Sequence, residues 1–585
     1  MIKLKTIVEK SMLGRAWVVS DCNDTSNDDD LMRCVLRNRG VADSDTEKFL
    51  NPSIHEYMPD PFVLRDCERA VDVISDAILK NEKIAVYGDY DVDGVTSTAI
   101  FIKYLRGVGA DVIWHLPTRE GEGYGLNSDA VRDLYEKGAR LLITVDCGIS
   151  GGTEVDVAKS LGMRVVVTDH HSPDAVIPAA DAVVNPKRAD DDSGLTYLAG
   201  VGVAFLVLVA LNRKLKSVGT PGLLEKINSV NLMEYIDCVA LGTICDTMAL
   251  VGLNRAFVAT GLRVLSLRQN VGLKALMQIA KVDRVSVYTA GFVLGPRLNA
   301  AGRLDSASPA LDLLLTDNPL IAHDLAVKLD ELNQERIGIQ NVIMDQATAL
   351  ADKCCARGKC SLFICGDNWH GGVMGIIAGR IKDRYNLPTC VATRVDGVIN
   401  GSGRSVTAIN LGAIIHDALA RGILTEGGGH AAAAGFSLPA VREAEFCEFL
   451  EQSVLAQLNG EKPSCDVLVD AEMDAAGATM QLVRKLQKLE PFGQGNPEPI
   501  LALRGAVLNF ATVMGRGAAH LRGAFRTSTG GRLDFVGFNL VGTPVGDFLL
   551  DDANINTKIM VLGRLCENSY NGRVNAQFVL EDIAL

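Results

Sequence analysis

The chain has 585 residues, 48% of them hydrophobic and 22% charged, a composition typical of a folded protein long enough for several domains. Its formal charge of −13 argues against a protein that coats nucleic acid, so any nucleic-acid contact would be a local groove. No signal-peptide core and no run of about 18 uncharged apolar residues occurs, and the 14 cysteines lack disulfide-type spacing. We therefore expect a cytoplasmic protein without a membrane partner.

The first chemically informative stretch is GDYDVDG at residues 88–94. In an extended chain its aspartates, Asp89, Asp91 and Asp93, would share one face about 7 Å apart and repel each other unless a cation lay among them. An EF-hand loop also begins with this pattern, but it needs a helix in front and a glutamate at its twelfth position, which here is Ile100. The stretch therefore predicts a metal site of another kind.

Strand-like runs that end in polar residues recur along the chain. KIAVYG and ARLLITVD predict strands that deliver Asp89 and Asp146, MRVVVTDHH predicts a strand ending at residues 169–171, and DAVVNP predicts a fourth. Helical segments separate these runs, as in VTSTAIFIKYLRGVG. The alternation predicts an α/β fold with a doubly wound parallel sheet, whose strand ends meet at one edge where ligands bind.

The acids and histidines at these strand ends also have an ordinary interpretation. A single aspartate such as Asp146, or Asp246 beyond the apolar helix DCVALGTIC, often caps a helix, and a His-His pair is often surface decoration. Together, however, five carboxylates and two histidines in one site require divalent cations. Mixed oxygen and imidazole ligands favour manganese or magnesium, and a pair of such ions suits phosphoester hydrolysis.

Two further patterns limit the chemistry. The chain has no P-loop of the form G-x-x-x-x-G-K-[ST], so ATP turnover is not indicated. The cysteine-rich run from Cys354 to Cys365 has neither CxxC spacing nor a nearby histidine, which favours ordinary thiols over a zinc site.

The chain carries the motifs DYDVDG, TVDCGIS, TDHH and ALGTICD in this order. In these motifs it resembles the DHH phosphoesterase superfamily. From about residue 45 to the C-terminus it is similar to the members that degrade single-stranded DNA, in LAGVGVAF, GPRLNAAGRL, NWHGGVMGIIAGRIKDRY, GSGRS and GGGHAAAAGF. One departure is Cys147, where the family more often has asparagine, and we expect it to change a local hydrogen bond.

The resemblance implies a role for each matching residue in the catalytic centre. Two ions, Mn²⁺ or Mg²⁺, are implied, and the division of ligands between them stays open. His171 would face the scissile phosphate or its leaving oxygen, and Asp169 would orient the imidazoles. The implied catalytic residues are Asp169, His170 and His171. The implied metal ligands are Asp89, Asp91, Asp93, Asp146, His170 and Asp246.

The segments after the first domain supply candidate substrate contacts. Residues 319–357 have helical apolar spacing and predict a long connecting helix between two lobes. The second lobe, residues 358–460, resembles the DHH-associated domain, and its glycines let backbone amides approach phosphates, although they could instead form tight turns. The loop GPRLNAAGR could likewise be only a turn between helices. The candidate substrate-binding residues are Arg297, Asn299, Arg303, Arg380, Ser402, Arg404, Ser405 and His430.

The last part of the chain, residues 465–585, reads as short strands with frequent turns and predicts a β-barrel. The family match implies an OB-fold, a common platform for single-stranded DNA. Phe525 and Phe535 could stack on bases or fill the core. The candidate DNA-binding residues are Arg516, His520, Arg522 and Arg526. The expected parts are therefore an N-terminal segment (1–60), the DHH domain with a helical part (61–318), the connecting helix, the second lobe and the barrel.

The favoured function is a metal-dependent 5′–3′ exonuclease that degrades single-stranded DNA to mononucleotides in repair and recombination. Polarity, cation and biological role come from the resemblance alone. Single-stranded DNA is the expected partner, with single-strand-binding protein and a helicase as further candidates. One alternative is a DHH phosphodiesterase of short oligonucleotides or cyclic dinucleotides, which would not need the barrel. Another is a DNA-binding scaffold without activity, against which the complete set of acids and histidines argues.

Overall fold

The computed structural model describes residues 4–20, 27–119, 121–123, 125–458, 466–515, 517–570 and 572–585. Within these ranges no helix combines the length and the apolar character that crossing a membrane requires. The N-terminal segment contains β1 (Leu4–Val8), β2 (Trp17–Ser20), α1 (Asp28–Asn38), α2 (Thr46–Leu50) and α3 (Ile54–Tyr57).

A parallel sheet forms the centre of the first domain. Its elements are α4 (Cys67–Leu79), β3 (Ile84–Tyr87), α5 (Val92–Gly107), β4 (Val112–His115), α6 (Ser128–Glu136), β5 (Leu141–Val145), α7 (Gly152–Ser160), β6 (Arg164–Thr168), β7 (Ala182–Val184) and α8 (Gly200–Val218). The strand order is β4-β3-β5-β6-β7, with every pair parallel. Helices α4, α5 and α8 pack on one face and α6 and α7 on the other, which explains the continuous apolar strands. The predicted doubly wound sheet is confirmed, with β4 as an additional edge strand.

Helices complete the first domain and connect it to the second. They are α9 (Pro221–Ser229), α10 (Ile236–Cys245), α11 (Gly252–Ser266), α12 (Val271–Ile279), a π-helical turn (Thr289–Leu294), α13 (Gly295–Leu304), α14 (Ser308–Leu315) and α15 (Pro319–Ala356). The side chain of Asn318 caps α15 by accepting a hydrogen bond from the Leu320 amide. The N-terminal half of α15 packs in the core of the first domain, and its C-terminal half packs in the second domain. The predicted connecting helix therefore bridges both cores.

The second domain is a mixed α/β unit. It contains β8 (Leu362–Asp367), α16 (Met374–Tyr385), β9 (Thr389–Val395), β10 (Val398–Arg404), α17 (Leu411–Ala420), β11 (Glu426–Gly429), β12 (Ala433–Pro439) and α18 (Glu443–Gln457). The sheet order is β11-β12-β10-β9-β8, and only β8 and β9 are parallel. Asp396 and Gly397, both with positive φ, form the tight turn of the β9–β10 hairpin.

The C-terminal part forms a closed barrel. Its elements are β13 (Val467–Val469), β14 (Ala471–Asp474), α19 (Met480–Gln487), β15 (Leu501–Met514), β16 (His520–Arg526), β17 (Arg532–Gly537), α20 (Pro544–Leu550), β18 (Lys558–Tyr570) and β19 (Arg573–Ala584). Strands β15-β16-β17-β19-β18 are joined in this order, and β18 pairs back with β15. Phe525 and Phe535 stack at 4.3 Å in the barrel core, so they are core residues and not a base platform. Strand β2 pairs with β13 and α1 packs on the barrel, which joins the two ends of the chain.

Candidate active site

Eight acidic and imidazole side chains converge at the carboxyl edge of the parallel sheet, and seven of them belong to groups that could hold a metal ion. Asp89 follows β3, Asp146 follows β5, and residues 169–171 follow β6, while Asp246 ends α10. Three groups of side chains could each hold a metal ion, because the ligand atoms within each group lie within 4.8 Å of one another. The first group is Asp146, His170 and His171, the second is Asp93, His170 and Asp246, and the third is Asp89, Asp91 and Asp146. The last two groups share no residue. The cluster therefore has ligands for two ions.

His170 lies at the centre of this cluster. Its Nε2 atom is 3.2 Å from Asp146 Oδ1, 3.5 Å from Asp246 Oδ2 and 3.8 Å from Asp93 Oδ2. Its other ring nitrogen, Nδ1, lies 3.0 Å from the Leu198 carbonyl oxygen, which fixes the ring so that Nε2 points at the acids. This is the orientation of a metal-ligating imidazole.

Several ligand atoms in the cluster are buried and lack hydrogen bonds. Within the described part of the chain, no partner is present for Asp89 Oδ1, Asp146 Oδ1, His170 Nε2 or Asp246 Oδ2. A buried polar atom without a partner is costly, and four in one place indicate that something absent from the polypeptide satisfies them. Oxygen and imidazole donors fit Mn²⁺ or Mg²⁺.

The electrostatics of the cluster agree with a cation site. Burial and the neighbouring carboxylates raise the pKa of Asp89, Asp146 and Asp246 well above the usual range, and they raise the pKa of Asp93 to about 7. Burial also lowers the pKa of His170 to about 3, which keeps its imidazole neutral and able to ligate. The chain alone cannot hold these acids ionised without a cost in stability.

The N-terminus of α8 and the loop at residues 88–94 fix the positions of the acids in the cluster. Asp93 accepts hydrogen bonds from the amides of Gly200 and Val201 at 2.7 and 2.9 Å, at the positive N-terminal end of α8. A side chain at Gly200 would put its Cβ 2.3 Å from Asp146 Oδ1, so only glycine lets this helix approach the cluster. Asp91 caps α5 by accepting from the Asp93 and Gly94 amides.

Asp169 orients the imidazole ring of His171, whereas the Leu198 carbonyl oxygen orients that of His170. Asp169 Oδ1 accepts from the His171 amide and lies 2.8 Å from His171 Nδ1, and its Oδ2 accepts from the Ile149 amide. Burial acts to lower the pKa of His171, but the hydrogen bond and charge of Asp169 outweigh it and raise the pKa to about 9. A protonated His171 beside the cluster is suited to interact with a phosphate or a leaving oxygen.

Cys147, the departure from the family pattern, is fully buried behind the cluster. Its thiol contacts the Tyr87 carbonyl oxygen at 3.7 Å, and burial raises its pKa well above the usual range. The neutral thiol therefore makes one weak hydrogen bond to β3 and does not join the ligand groups. Among the cysteines of the run predicted to be ordinary thiols, Cys354, Cys355, Cys360 and Cys365 are all free.

All three candidate substrate residues on α13 form hydrogen bonds with protein groups. Arg297 donates to Asp330 Oδ1 on α15 at 2.8 Å and to the Val293 carbonyl. Asn299 Oδ1 accepts a hydrogen bond from the Val92 amide, which holds the loop at residues 88–94 in place. Arg303 donates to the carbonyl oxygen of Gly372, directly before α16, and thereby connects the two domains.

Arginines gather where α16 begins, and sequence reasoning found only some of them. Burial and the charges of Arg119 and Arg336 lower the pKa of Arg303 to about 10, and burial and Arg119 lower that of Arg404. Arg336 on α15 is buried, and the hydrogen bonds that the structure describes for it go only to Asn333 and Gln340. Mutually repelling guanidinium groups at a helix N-terminus form a site for anions. Arg119 and Arg336 have no motif-like surroundings that could have indicated them.

The other candidates of the second domain surround the same region. Ser402 accepts a hydrogen bond from Arg404, and Arg380 lies on α16, where its charge lowers the pKa of Arg336 further than burial alone. Ser405 is buried and donates its hydroxyl to the Ile409 carbonyl, which fixes the following turn. Burial lowers the pKa of His430, and the charges of Lys187 and His171 lower it further.

The barrel carries its candidate residues on one outer face. His520, Arg522 and Arg526 alternate along β16 with inward-facing residues, and His520 contacts the exposed ring of Phe538. Arg526 bonds Asn556, and Arg522 has no carboxylate partner among the described residues. Arg516 lies outside the described residues. An outer strand face with cations and an exposed aromatic ring is typical of single-strand binding.

Comparison with known proteins identifies the family. Models of the DHH family N-terminal domain, the DHHA1 domain and the RecJ OB domain match residues 83–243, 357–456 and 469–582. The single-stranded-DNA-specific exonuclease RecJ of Escherichia coli (strain K12) is 35% identical over 565 residues, which cover 94% of this chain and 95% of that protein. The chain belongs to the RecJ family. RecJ of Bacillus subtilis (strain 168) is 33% identical, over 95% of this chain and 68% of that protein.

The fold agrees with solved RecJ structures. RecJ from Thermus thermophilus in complex with Mn²⁺ superposes with a TM-score of 0.77 at 29% identity, covering 95% of this chain and 76% of that chain. The match includes the DHH domain, the DHHA1 domain and the barrel, so the predicted α/β architecture with a C-terminal OB-fold is confirmed.

Proposed function

We propose that the protein is a metal-dependent exonuclease that degrades single-stranded DNA from its 5′ end to mononucleotides. The observation that carries the proposal is the cluster of acids and His170, in which four buried ligand atoms have no partner among the described residues. The RecJ relatives are named as single-stranded-DNA-specific exonucleases, and the Thermus thermophilus enzyme has been solved with Mn²⁺ and with Mg²⁺. The ions here are accordingly Mn²⁺ or Mg²⁺.

The residues divide into those that hold the ions and those that act on the phosphodiester. Two bound ions would activate a water and neutralise charge on the attacking and leaving oxygens. Asp93, His170 and Asp246 form one ligand group, and Asp89, Asp91 and Asp146 form the other. His171, kept protonated by Asp169, can donate a hydrogen bond to the phosphate or the leaving oxygen.

The strand is held by cations and amides rather than by base-reading groups, so base sequence has little influence. Arg303, Arg404 and the N-terminus of α16 favour a terminal phosphate, while Arg380, Ser402 and His430 surround it. Ser405, Arg297 and Asn299 retain a proposed place in this surface. The barrel face with His520, Arg522 and Arg526 would hold the strand farther from its end.

The wider setting follows from the same proposal. The enzyme acts in the cytoplasm, in DNA repair and recombination, with single-strand-binding protein and a helicase as partners. Its working units are the DHH domain (61–318), the connecting helix (319–357), the DHH-associated domain (358–460) and the barrel (465–585), with residues 1–60 as an N-terminal segment. A phosphodiesterase of short oligonucleotides is the competing function, and the barrel argues against it because a dinucleotide would not reach that far.

The test is hydrolysis of single strands of about 40 nucleotides, labelled at either the 5′ or the 3′ end, beside the matching duplex and a dinucleotide. We expect early release of a 5′-labelled mononucleotide from the single strand, activity with Mn²⁺ and loss of activity with EDTA. Cleavage of the dinucleotide alone would favour the competing function. Early release of the 3′ label would overturn the proposed polarity.

A further inference from the structure

Asn185 is a buried amide that follows β7, the strand next to β6 in the parallel sheet. Its Oδ1 atom accepts a hydrogen bond from the Lys187 amide at 2.8 Å, and its Nδ2 atom donates to the His171 carbonyl oxygen at 2.9 Å. A backbone amide only donates and a carbonyl oxygen only accepts, so these two partners define the orientation of the Asn185 side chain. The amide therefore connects the end of β7 with the backbone of a residue in the cluster.

Asn185 is held on both sides along the chain. Before it, β7 pairs with β6, and the pairing extends to the Asp169 amide, which donates to the Val184 carbonyl oxygen at 3.0 Å. After it, the Arg188 amide donates to the Asn185 carbonyl oxygen at 3.2 Å. Arg188 is itself buried, and its guanidinium donates to the Val183 carbonyl oxygen. The Asn185 side chain is thus a fixed point beside the cluster.

His171 is the point at which the chain leaves the edge of the sheet. On its N-terminal side, Asp169 Oδ1 accepts from the His171 amide at 3.0 Å and lies 2.8 Å from the ring atom Nδ1. On its C-terminal side, the His171 carbonyl oxygen accepts from Asn185. Residues 172–177 follow as a loop whose residues are exposed or half-buried. Asn185 therefore supplies a buried anchor between His171 and this loop.

The hydrogen bond from Asn185 affects the His171 imidazole because it fixes the peptide plane that follows this residue. Without the donor, the carbonyl oxygen would lose its partner, and rotation of the peptide plane would displace the ring. A displacement of about 1 Å in a catalytic group can lower a rate about 100-fold. The hydrogen bonds described for the Asn185 side chain go to backbone groups, so the amide acts through His171.

We propose that Asn185 is a positioning residue for phosphodiester hydrolysis. It fixes the backbone of His171 so that the imidazole contacts the phosphate or the leaving oxygen in the correct geometry. The inference rests on the proposed phosphodiester chemistry and on the role proposed there for His171, but not on the length or polarity of the substrate. It therefore applies equally to a small phosphodiester.

The first experiment compares Asn185→Ala with the wild type in saturating Mn²⁺, on a 5′-phosphorylated single strand and on a 5′-phosphorylated dinucleotide. We expect kcat to fall about 10–100-fold on both substrates, because the imidazole is displaced. KM should change less than about threefold, and Mn²⁺ affinity by calorimetric titration should stay at the wild-type value. Asn185→Asp keeps the size of the side chain and the acceptor for Lys187, and it replaces Asn185→Ala if that variant does not fold. Its carboxylate cannot donate to His171, so kcat should fall to at least the same extent.

A double-mutant cycle tests whether Asn185 acts through His171. His171→Ala should lower kcat more than Asn185→Ala does. The double variant should be within about threefold of His171→Ala alone, because the ring that Asn185 positions is already missing. Losses that multiply would show that Asn185 supports activity by another route, against the inference. A His171→Ala variant with wild-type kcat would also refute it, since Asn185 would then have no catalytic group to position.

Asn496→Ala is the matched control for the loss of a buried amide. Asn496 is also buried and donates through Nδ2 to the carbonyl oxygens of Leu489 and Pro491, in the segment that enters the barrel. Both variants should lower the thermal midpoint, but only Asn185→Ala should lower kcat on the dinucleotide. An equal loss of kcat in both variants, or a loss in Asn185→Ala that higher Mn²⁺ restores, would overturn the inference.

The dinucleotide separates this inference from the proposed function. If the wild type cleaves only the dinucleotide and Asn185→Ala loses that activity, the inference stands and the proposed exonuclease function fails. If the wild type degrades the single strand and Asn185→Ala keeps its kcat within about threefold, the exonuclease function stands and the inference fails. If the wild type cleaves neither substrate, both fail.

Discussion

Asp146 belongs to two of the three ligand groups, and its Oδ1 atom lies 3.2 Å from His170 Nε2 without a hydrogen-bond donor among the described residues. Its charge is therefore useful only when a cation is bound. We predict that Asp146→Asn raises the thermal midpoint of the metal-free protein by about 2–4 °C, because it removes a repelling carboxylate. The same variant should lose the stabilisation that Mn²⁺ gives the wild type. Thermal unfolding with EDTA and with Mn²⁺ measures both, and a lowered metal-free midpoint would contradict the prediction.

The raised pKa values of the cluster also predict how pH affects the metal-free protein. An acid whose pKa is higher in the folded state, such as Asp93 at about 7, stabilises the folded protein at low pH. This contribution to the free energy of unfolding is lost as the pH rises through the folded pKa. His171, with its pKa raised to about 9, acts in the same direction. We expect the EDTA-treated protein to melt at a lower temperature at about pH 8.5 than at about pH 6.5. Asp146→Asn should reduce this difference, and an equal difference in both proteins would argue against the cluster as its origin.

Asp169 is a positioning residue, and His171 is the group through which it acts. Burial alone would raise the pKa of Asp169, but the hydrogen bond and charge of His171 lower it, so the two form a tightly bound pair. Asp169→Asn should lower kcat about 10–100-fold. Mn²⁺ affinity should change little, because the Leu198 carbonyl orients His170 instead. A loss confined to Mn²⁺ affinity, measured by titration, would show that Asp169 supports the ligands.

At the scale of elements, Arg255 on α11 connects three separate parts of the chain. It is completely buried and donates to the carbonyl oxygens of Phe49, Leu489, Glu490 and Pro491, and its guanidinium lies 3.9 Å from the Phe49 ring centroid. The described hydrogen bonds of its guanidinium all go to carbonyl oxygens, and burial lowers its pKa to about 10. The segment entering the barrel is thus fixed against the first domain.

We predict that Arg255→Met destabilises the docked barrel by about 2 kcal/mol or more, since it leaves buried carbonyl oxygens without donors. The thermal midpoint should fall by about 4–8 °C. KM should rise for long single strands and stay unchanged for a dinucleotide, because only long strands reach the barrel. Arg263→Met on the same helix is the matched control, since Arg263 is exposed and bonds only its own helix in the described structure. Equal effects of the two variants would contradict the role of Arg255.

For the whole molecule, a net charge of −13 means that DNA has to bind at local groups of cations. The salt dependence of the binding affinity therefore reports how many phosphates these cations neutralise. The variant Arg522→Ala/Arg526→Ala should weaken binding of long single strands. It should also reduce the slope of log affinity against log salt concentration by about 0.7 for each phosphate that is no longer neutralised. Fluorescence anisotropy over a salt series measures this, with Arg532→Ala, whose arginine pairs with Asp534, as the control. An unchanged slope would remove the β16 face from the DNA path.

Features with local signals could be predicted from the sequence. The strands that deliver Asp89, Asp146 and residues 169–171 are continuous apolar runs, and α15 has a helical period with proline at its start, so both kinds of element were recognisable. The convergence of the acids followed from the geometry of a parallel sheet. The overall architecture is confirmed by the comparison with RecJ structures.

Other features depend on contacts between residues far apart in the chain. Edge strand β4 is only half-buried, which weakens its apolar pattern, and β2 is specified by pairing with β13, more than 400 residues away. Arg255 is a single arginine in an ordinary helix, and its role arises from carbonyl oxygens that lie far from it in the chain. The hydrogen bonds described for Arg336 stay within its own helix, and only the fold brings its charge near that of Arg303 on α13. The sequence around a single arginine does not indicate which distant groups the fold will bring to it.

The binding of two catalytic ions by one buried cluster can be measured by Mn²⁺ titration calorimetry, with nuclease rates taken from the same samples. We expect about two Mn²⁺ per wild-type chain, with activity that rises as the sites fill, and loss of both binding and activity in Asp146→Asn. An Asp146→Asn variant that still binds two ions and degrades single-stranded DNA at the wild-type rate would contradict it.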